Sequence, residues 1–393
     1  MKQVQAPVSL LHISPGAQPP VKIHKVQTFI YRVKVSKPVV STLASIGQRV
    51  ALLVRLQDQD GAYGWGEIYS TLPSFGAEHR AQVVHQTIAP HVLGQTIDDP
   101  GLLWQSLSQK LHAMAIQTGE PGPIAAALGG LDCALWDLLA RRAHIPLYQL
   151  LGGHAASVPA YASGLNPADG PEVVERSREQ GFHAFKQKIG FDEQSDLHNL
   201  HTIRLSMREH ERLMVDVNQG WTLEQAMRMA PRMCEFDLAW VEEPLPADRP
   251  AHEWRRCAQA FSAPLAGGEN LRGDDFAQHS EWLGVIQPDV GKWGGISASR
   301  VIGQQALAAD KLYCPHWLGS GIGLMASAHV LAAVAGPGLL EVDVNENPLR
   351  EALCQPFPKL VAGQFMLPQG PGLGVDPDLK LASPWCIKHE ETV

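Results

Sequence analysis

Three features are missing from this chain, and each absence excludes a class of protein. The six cysteines form no CxxC pair and follow no regular spacing, which predicts reduced thiols and a cytoplasmic location. No cluster of Lys and Arg forms a basic patch, and the formal charge is −8, so we expect no nucleic-acid partner. No apolar run approaches the length of a membrane span, so we expect no membrane partner.

The composition that is present describes a globular protein of more than one domain. Of the 393 residues, 45% are hydrophobic and 18% are charged, which is typical of a soluble globular chain. The length predicts two domains and a large buried core. Residues 1–20 carry only a brief apolar patch followed by Pro and Gly, which predicts a flexible N-terminal arm and not a signal peptide.

The periodicity of the sequence changes at about residue 151. Residues 21–150 combine alternating strand patterns with helical spacing, which predicts an α+β domain with a hairpin turn at Asp60-Gly61. Residues 151–357 repeat a short apolar strand and an amphipathic helix about every 25 residues, and the eight strands predict a parallel (β/α) barrel. Residues 358–393 are rich in loops, and we expect them to return to the first domain.

Three acids end consecutive predicted barrel strands. Asp216 lies in LMVDVNQ, Glu242 in WVEEP and Glu269 in AGGEN, at intervals that match one βα unit each. The C-terminal ends of barrel strands converge at one mouth, where bare carboxylates would repel one another. Because Mg²⁺ is a hard cation that takes carboxylate oxygens, the three acids predict a metal site.

A pair of lysines lies on the strand that precedes these acids. Lys186 and Lys188 are two residues apart in AFKQKIG, so both side chains point to the same face of the strand. Two ammonium groups in one buried mouth repel each other and lose hydration. We therefore expect the pKa of at least one to be lowered, which would make it a base near neutral pH.

An acid and a histidine end the sixth and seventh predicted strands. Asp289 follows VIQP and His316 follows YCP, one βα unit later. Neighbouring strand ends would let Asp289 accept a hydrogen bond from one ring nitrogen of His316, which fixes the tautomer of the ring and raises the basicity of the other nitrogen. Taken alone, a histidine is more often a structural residue than a catalytic one.

The last strand ends with Glu341, and Asp343 faces the same way two residues later. We expect Glu341 to face the site and, as a hydrogen-bond donor, to be protonated with a raised pKa. The further candidates are substrate-binding residues that follow strand ends: Asn218, Lys292 and Trp317. Core packing is the more common role of a tryptophan.

Nine short motifs together resemble the enolase superfamily, in particular its mandelate racemase-like subgroup (the mandelate racemase/muconate lactonizing enzyme family). The resemblance runs from about residue 21 to the tail. The matching segments are GWGE (64–67), ALWDLLARRA (134–143), LLGG (150–153), KQK (186–188), VDVNQ (215–219), WVEEP (240–244), GGEN (267–270), QPDVGKWGG (287–295) and CPH (314–316).

The resemblance implies an α+β capping domain over a modified (β/α)₇β TIM barrel, one Mg²⁺ per subunit, and a symmetric homo-oligomer. Two polar segments of the cap, 36–49 and 69–79, are predicted to be loops, and the resemblance implies that they set specificity. The resemblance also implies a role for each candidate in the mouth. Those roles are Mg²⁺ ligands (Asp216, Glu242, Glu269), a base and its carboxylate-contacting partner (Lys188, Lys186), an acid/base dyad on the opposite face (Asp289, His316) and a donor to the enolate (Glu341).

Such a site would remove the proton α to the carboxylate of a small-molecule substrate and stabilise the enediolate. We favour dehydration of a sugar acid to a 2-keto-3-deoxy acid. Racemisation or epimerisation of an α-substituted carboxylate fits the same residues. The Gly-rich segment after His316 is similar to those of some lactone cycloisomerases and acid-sugar dehydratases. A metal-binding barrel without catalysis and a metal-dependent hydrolase are the more remote alternatives.

Overall fold

The computed structural model describes residues 20–393; the predicted arm, apart from residue 20, lies outside the described residues. The strands are β1 (Val21–Val40), β2 (Ser45–Asp58), β3 (Tyr63–Ile68), β4 (Thr96–Ile97), β5 (Ser157–Leu165), β6 (Ala184–Lys188), β7 (Arg212–Asp216), β8 (Leu238–Glu242), β9 (Leu265–Gly267), β10 (Leu283–Ile286), β11 (Leu312–Tyr313), β12 (Leu340–Asp343), β13 (Leu360–Val361), β14 (Gln364–Met366) and β15 (Cys386–Thr392). The α-helices are α1 (Gly76–Gln82), α2 (Pro100–Thr118), α3 (Pro121–Arg142), α4 (Leu147–Leu150), α5 (Gly170–Glu179), α6 (Glu193–Ser206), α7 (Leu223–Met233), α8 (Ala251–Ala260), α9 (Asp275–His279), α10 (Gly295–Ala308), α11 (Gly321–Val334) and α12 (Pro348–Ala352).

The first domain is built on an antiparallel sheet with strand order β15-β1-β2-β3, and β4 pairs with β1. The predicted hairpin turn is confirmed: β2 and β3 are joined by residues 59–62, where Gly61 has a φ of 88°. The C-terminal strand β15 pairs with β1, placing Thr392 opposite Val26. Residues from the end of the chain therefore complete the sheet of the first domain.

The segment 36–49, predicted as a polar loop, is largely strand. β1 continues to Val40 and β2 starts at Ser45, with Val39 paired to Ile46 beyond an irregularity in the register. The tip of this extended hairpin reaches the second domain, where Thr42 Oγ1 donates to the carbonyl oxygen of Asn218 over 2.7 Å. The prediction was wrong because polar residues on an exposed two-stranded ribbon resemble those of a loop.

Among the described residues, α3 is the one helix that by length and composition alone could cross a membrane. The expectation that no apolar run approaches the length of a membrane span was therefore wrong for this segment. Of its most apolar window, 89% is buried inside the protein. Its composition is explained by its position, because it packs against β3 on one side and the start of α10 on another.

Two glycines of the GWGE segment allow β3 to lie directly on α3. A Cβ at Gly64 would overlap the carbonyl oxygen of Ala134, and a Cβ at Gly66 would overlap that of Gly130. Backbone cannot yield as a side chain can. We therefore expect Gly66→Ala to lower the free energy of unfolding by at least about 2 kcal/mol in chemical denaturation.

Gly47→Ala is the matched control, because a Cβ at Gly47 meets nothing within 4 Å. We expect this change, also within the first-domain sheet, to stay within about 0.5 kcal/mol of the wild type. Equal losses in both variants would contradict the close-packing explanation.

The second domain contains all eight predicted strands in one parallel ladder. β5 to β11 pair in chain order, and β12 pairs with β5. A single buried cluster takes one side chain from each strand or its edge: Tyr161, Ala184, Met214, Trp240, Ala266, Val285, Cys314 and Leu339. Since these side chains touch one another, the strands surround a common interior.

The ends of this ladder meet between β11 and β12. No strand pairing joins the two within residues 20–393, but the Leu339 backbone nitrogen lies 3.3 Å from Cys314 Sγ. β13 and β14 form a small antiparallel addition beside β5. The predicted α/β class, with an N-terminal cap and a barrel-like second domain, is confirmed.

Candidate active site

The alternation of side chains along each barrel strand sets the position of the site. Ala184, Met214 and Trp240 belong to the interior cluster, so residues two positions further along each strand face the same interior nearer its C-terminal mouth. These residues are the predicted Lys186, Asp216 and Glu242, and each has at most 1% of its surface exposed. Three predicted site residues are thus brought together by strand geometry alone.

Lys186 lies among three carboxylates of the mouth. Its Nζ lies 2.7 Å from Glu242 Oε1, 2.7 Å from Glu341 Oε1 and 3.7 Å from Asp216 Oδ2. It also lies 5.4 Å from the centre of the Tyr161 ring, in cation–π range. One ammonium group therefore links acids from three different strands.

Lys188 occupies the rim of the same cluster. Its Nζ lies 2.5 Å from Asp216 Oδ2 and donates to Asn218 Oδ1 over 2.7 Å. The expectation that the pKa of at least one of the two lysines is lowered was wrong. Burial alone would lower both pKa values, but Glu242 and Glu341 raise that of Lys186 and Asp216 raises that of Lys188.

Two of the predicted metal ligands are the last residues of β7 and β8, and the third, Glu269, lies two residues after β9. Within the described part of the chain, no three Asp, Glu, His or Cys side chains are already arranged around a point as a metal would require. Each acid instead lies near a lysine. Glu269 contacts Lys292 Nζ, and Asp216 contacts Lys188 Nζ. Glu242 also accepts hydrogen bonds from Trp240 Nε1 and Gln287 Nε2, at 3.2 and 2.7 Å.

The charge balance of the mouth fits a divalent cation. The mouth contains six buried or nearly buried carboxylates: Asp216, Glu242, Glu243, Glu269, Asp289 and Glu341. They face three lysines and one histidine: Lys186, Lys188, Lys292 and His316. Even with the imidazole protonated, two negative charges have no partner. Burial, with the neighbouring acids, accordingly raises the pKa of Glu242 to about 7 and that of Glu243 well above its usual value.

The Asp289–His316 pair has the geometry of an oriented acid/base dyad. His316 Nδ1 lies 2.6 Å from Asp289 Oδ2, and Asp289 Oδ1 accepts from the backbone nitrogens of Gly291 and Lys292. The other ring nitrogen, Nε2, faces the acids of the mouth, at 3.4 Å from Glu269 and 3.9 Å from Glu341. Burial lowers the pKa of His316, but these three acids outweigh it and raise the pKa to about 9.

Glu341 and Asp343 have different partners although they share a strand face. Glu341 Oε1 accepts from Ser163 Oγ and lies beside Lys186, while Oε2 accepts from the Trp317 backbone nitrogen over 3.1 Å. Burial raises the pKa of Glu341, but Lys186 and His316 lower it by more, so the pKa lies below its usual value. The expectation of a raised pKa was therefore wrong. Asp343 pairs with Arg49 of the cap at 2.6 Å.

The remaining predicted contacts are divided between the mouth and the core. Lys292 Nζ lies in the mouth, 4.7 Å from the centre of the Tyr69 ring, which comes from the cap. The Trp317 indole packs inside the protein and donates from Nε1 to the Ser320 carbonyl oxygen over 2.8 Å. Trp317 therefore reaches the mouth through its backbone N–H, and its predicted role as a side-chain contact is not favoured by this geometry.

Sequence reasoning missed residues whose partners lie far away in the chain. Ser163 lies two positions after the interior Tyr161, so strand alternation pointed to it. Gln287 lies two positions after the interior Val285, so the same alternation pointed to it. Arg49 and Tyr69 come from the cap, and nothing in the sequence identifies which barrel residues they meet.

Two family models cover most of the chain. Residues 25–152 match the mandelate racemase/muconate lactonizing enzyme N-terminal domain, and residues 171–381 match the enolase C-terminal domain-like model. The chain belongs to the mandelate racemase/muconate lactonizing enzyme family. The membership indicated by the motifs is thereby confirmed, and this family member is an enzyme of the lyase or isomerase kind.

The relatives of this family member have different activities. The chain is 30% identical over 380 residues to D-galactarolactone cycloisomerase from Agrobacterium fabrum, spanning 90% of this chain and 96% of that one. A solved family structure from Bordetella bronchiseptica is 45% identical with a TM-score of 0.86, over 93% of this chain and 100% of that one. L-talarate/galactarate dehydratase from Salmonella typhimurium, liganded with Mg and L-lyxarohydroxamate, is 26% identical with a TM-score of 0.83, over 95% of each chain.

Proposed function

We propose that the protein is a Mg²⁺-dependent lyase that removes the proton α to the carboxylate of a sugar acid and expels the β-hydroxyl. The observation that carries the proposal is the arrangement of the mouth. Lys188 ends β6 and the Asp289–His316 dyad follows β10 and β11, with the three acids at the strand ends between them. The similarity to a magnesium-liganded sugar-acid dehydratase supports this choice of reaction.

Asp216, Glu242 and Glu269 are the residues that would hold Mg²⁺, since a hard cation suits carboxylate oxygens and balances the excess negative charge of the mouth. When bound, Mg²⁺ supplies the positive charge that binds the substrate carboxylate and stabilises its enediolate. Lys186, between Glu242 and Glu341, places an ammonium group where the same charge develops.

The proton transfers are assigned to two groups. Lys188 Nζ, once deprotonated, takes the α-proton, and the electrons of that C–H bond form the enediolate. The bond from the β-carbon to its hydroxyl then breaks, and His316 Nε2 donates its proton to the departing oxygen, so that water leaves. Asp289 holds the imidazole so that Nε2 faces the mouth. The enol product becomes a 2-keto-3-deoxy acid.

A second candidate function is lactone cycloisomerisation, which the similarity to D-galactarolactone cycloisomerase favours. The residues and the elimination would be the same, but the leaving oxygen would belong to the ring, so the ring opens and no water is lost. Racemisation or epimerisation requires only reprotonation of the enediolate from the opposite side. A site without catalysis and a metal-dependent hydrolase fit the paired lysines less well.

Proton NMR in D₂O with Mg²⁺ tests the proposal against a panel of acid sugars, their lactones and α-substituted carboxylates. We expect one acid sugar to be consumed and a 2-keto-3-deoxy acid to form, because elimination follows α-proton removal. Ring opening of a lactone without loss of water would establish the second candidate. Deuterium at an inverted α-carbon, with no elimination, would make the enzyme a racemase or epimerase and overturn the dehydratase assignment.

The subunit arrangement follows the family resemblance, and the location follows the cysteine pattern of the sequence. We propose a symmetric homo-oligomer in the cytoplasm, with one Mg²⁺ in each subunit and residues 21–150, 151–357 and 358–393 as cap, barrel and returning segment. Static light scattering of the purified protein checks the first point, and a monomeric mass would contradict it.

A further inference from the structure

Glu67 is a buried cap residue for which the proposed reaction has no role. It ends the GWGE segment, in which Gly64 and Gly66 face α3. Because side chains alternate along a strand, Glu67 points to the opposite face, towards the second domain. Only 3% of its surface is exposed, so its carboxylate must find partners inside the protein.

The partners of Glu67 are at the N-terminus of the barrel helix α11. Oε1 accepts from the Ser320 backbone nitrogen at 2.6 Å, and Oε2 accepts from Ser320 Oγ at 2.7 Å and the Gly323 backbone nitrogen at 2.9 Å. Ser320 is the N-cap of α11, yet its side chain makes no cap bond of its own. The cap domain therefore supplies the helix cap that the barrel helix lacks.

The same turn is tied to the active site by two more hydrogen bonds. Trp317 Nε1 donates to the Ser320 carbonyl oxygen at 2.8 Å, and the Trp317 backbone nitrogen donates to Glu341 Oε2 at 3.1 Å. The indole leaves no space for a Cβ at Gly319 or Gly323, which explains why this segment is rich in glycine. A continuous chain of contacts thus runs from Glu67 to Glu341.

We propose that Glu67 is a positioning residue for Glu341: by holding the start of α11, it keeps the Trp317 N–H against one carboxylate oxygen of Glu341. The three bonds that Glu67 accepts are buried, so they hold the turn more tightly than solvent-exposed bonds would. The effect on catalysis rests on the proposed function, whereas the effect on the turn does not.

Glu67→Gln is the first test, because it keeps the size of the side chain and replaces one acceptor oxygen by a donor NH₂. In hydrogen-exchange mass spectrometry, we expect the amides of residues 317–323 to exchange at least about tenfold faster than in the wild type. Ser320→Ala removes only the hydroxyl bond and should raise the same rates less. Unchanged exchange in 317–323 would overturn the proposal.

Asp132→Asn is the matched control. Asp132 is also a buried cap carboxylate, and it accepts from the Ser297 backbone nitrogen and Oγ, at 2.9 and 2.6 Å, near the start of α10. Burial raises the pKa of both acids to about 7, so the two substitutions perturb similar environments. We expect Asp132→Asn to raise exchange in residues 295–299 only. A similar increase in 317–323 would show a general loosening and overturn the specific link.

Steady-state kinetics on the α-proton exchange reaction tests the consequence for Glu341. We expect Glu67→Gln to lower kcat at least about tenfold while KM stays within about twofold, because no substrate contact is removed. If Glu67 acts through Glu341, the double variant with Glu341→Gln should be no slower than Glu341→Gln alone. Additive losses would overturn the positioning role. If the wild-type protein showed no α-proton exchange with any substrate, the proposed function would be contradicted. The amide hydrogen-exchange rates of residues 317–323 would then still test whether Glu67 holds the turn.

Discussion

Lys188→Ala should lower both α-proton exchange and product formation by at least about 10³-fold, since it removes the group to which we assign proton abstraction. The fold should persist, because Lys188 lies at the rim of the mouth while Lys186 keeps its contacts with Glu242 and Glu341. The measurement is the rate of deuterium incorporation in D₂O, followed by NMR, at saturating Mg²⁺ and substrate.

Lys188→Arg tests whether Lys188 is needed as a base or only as a positive charge. A guanidinium keeps a cation beside Asp216, where Lys188 Nζ now lies at 2.5 Å, but it does not lose its proton. We expect this variant to be as inactive as Lys188→Ala. Lys359→Ala, which changes an exposed lysine, controls for loss of surface charge and should keep wild-type rates. Wild-type α-exchange in Lys188→Ala would refute the assignment of the base.

His316→Asn should affect the two steps differently. Without Nε2 as proton donor, product formation should fall by at least about 10³-fold, whereas α-proton exchange should fall by less than about tenfold, because Lys188 remains. The two rates are measured in one NMR experiment as deuterium incorporation and product growth. If both rates fell equally in His316→Asn, while Lys188→Ala retained exchange, the roles of the two groups would be reversed.

His329→Asn is the control for removing a buried histidine. His329 accepts from the Tyr148 backbone nitrogen at 3.1 Å and lies 3.2 Å from the Leu373 carbonyl oxygen, in contacts that do not involve the mouth. Burial lowers its pKa to about 4, so it is neutral and structural. We expect this variant to lose stability in thermal unfolding but to keep kcat per folded molecule.

The charge states of the mouth explain why two expectations from the sequence were wrong. Two lysines on one strand predicted mutual repulsion and a lowered pKa. Lys186, however, lies within 2.7 Å of acids on β8 and β12, which come 56 and 155 residues later in the chain. An opposite charge at that distance outweighs a like charge further away, so the pKa rises. The same ion pair lowers the pKa of Glu341.

What the sequence determined by itself is the order of the strands and the face on which each candidate lies. The βα repeat places Asp216, Glu242 and Glu269 at neighbouring strand ends, and the two-residue period of a strand places Lys186 and Lys188 on one side. Both are local properties of a chain with regular elements. They are visible without knowing any distance between elements.

Only the tertiary structure decided which groups are partners. It assigned Asp343 to Arg49 and Glu341 to Lys186, Ser163 and Trp317, and it brought Glu67 of the cap to the start of a barrel helix. Hydrogen bonds and ion pairs depend on separations of about 3 Å between groups that lie 24 to 294 residues apart in the chain. Periodicity carries no information about such separations, because it reports a direction from the backbone and not a neighbour in space.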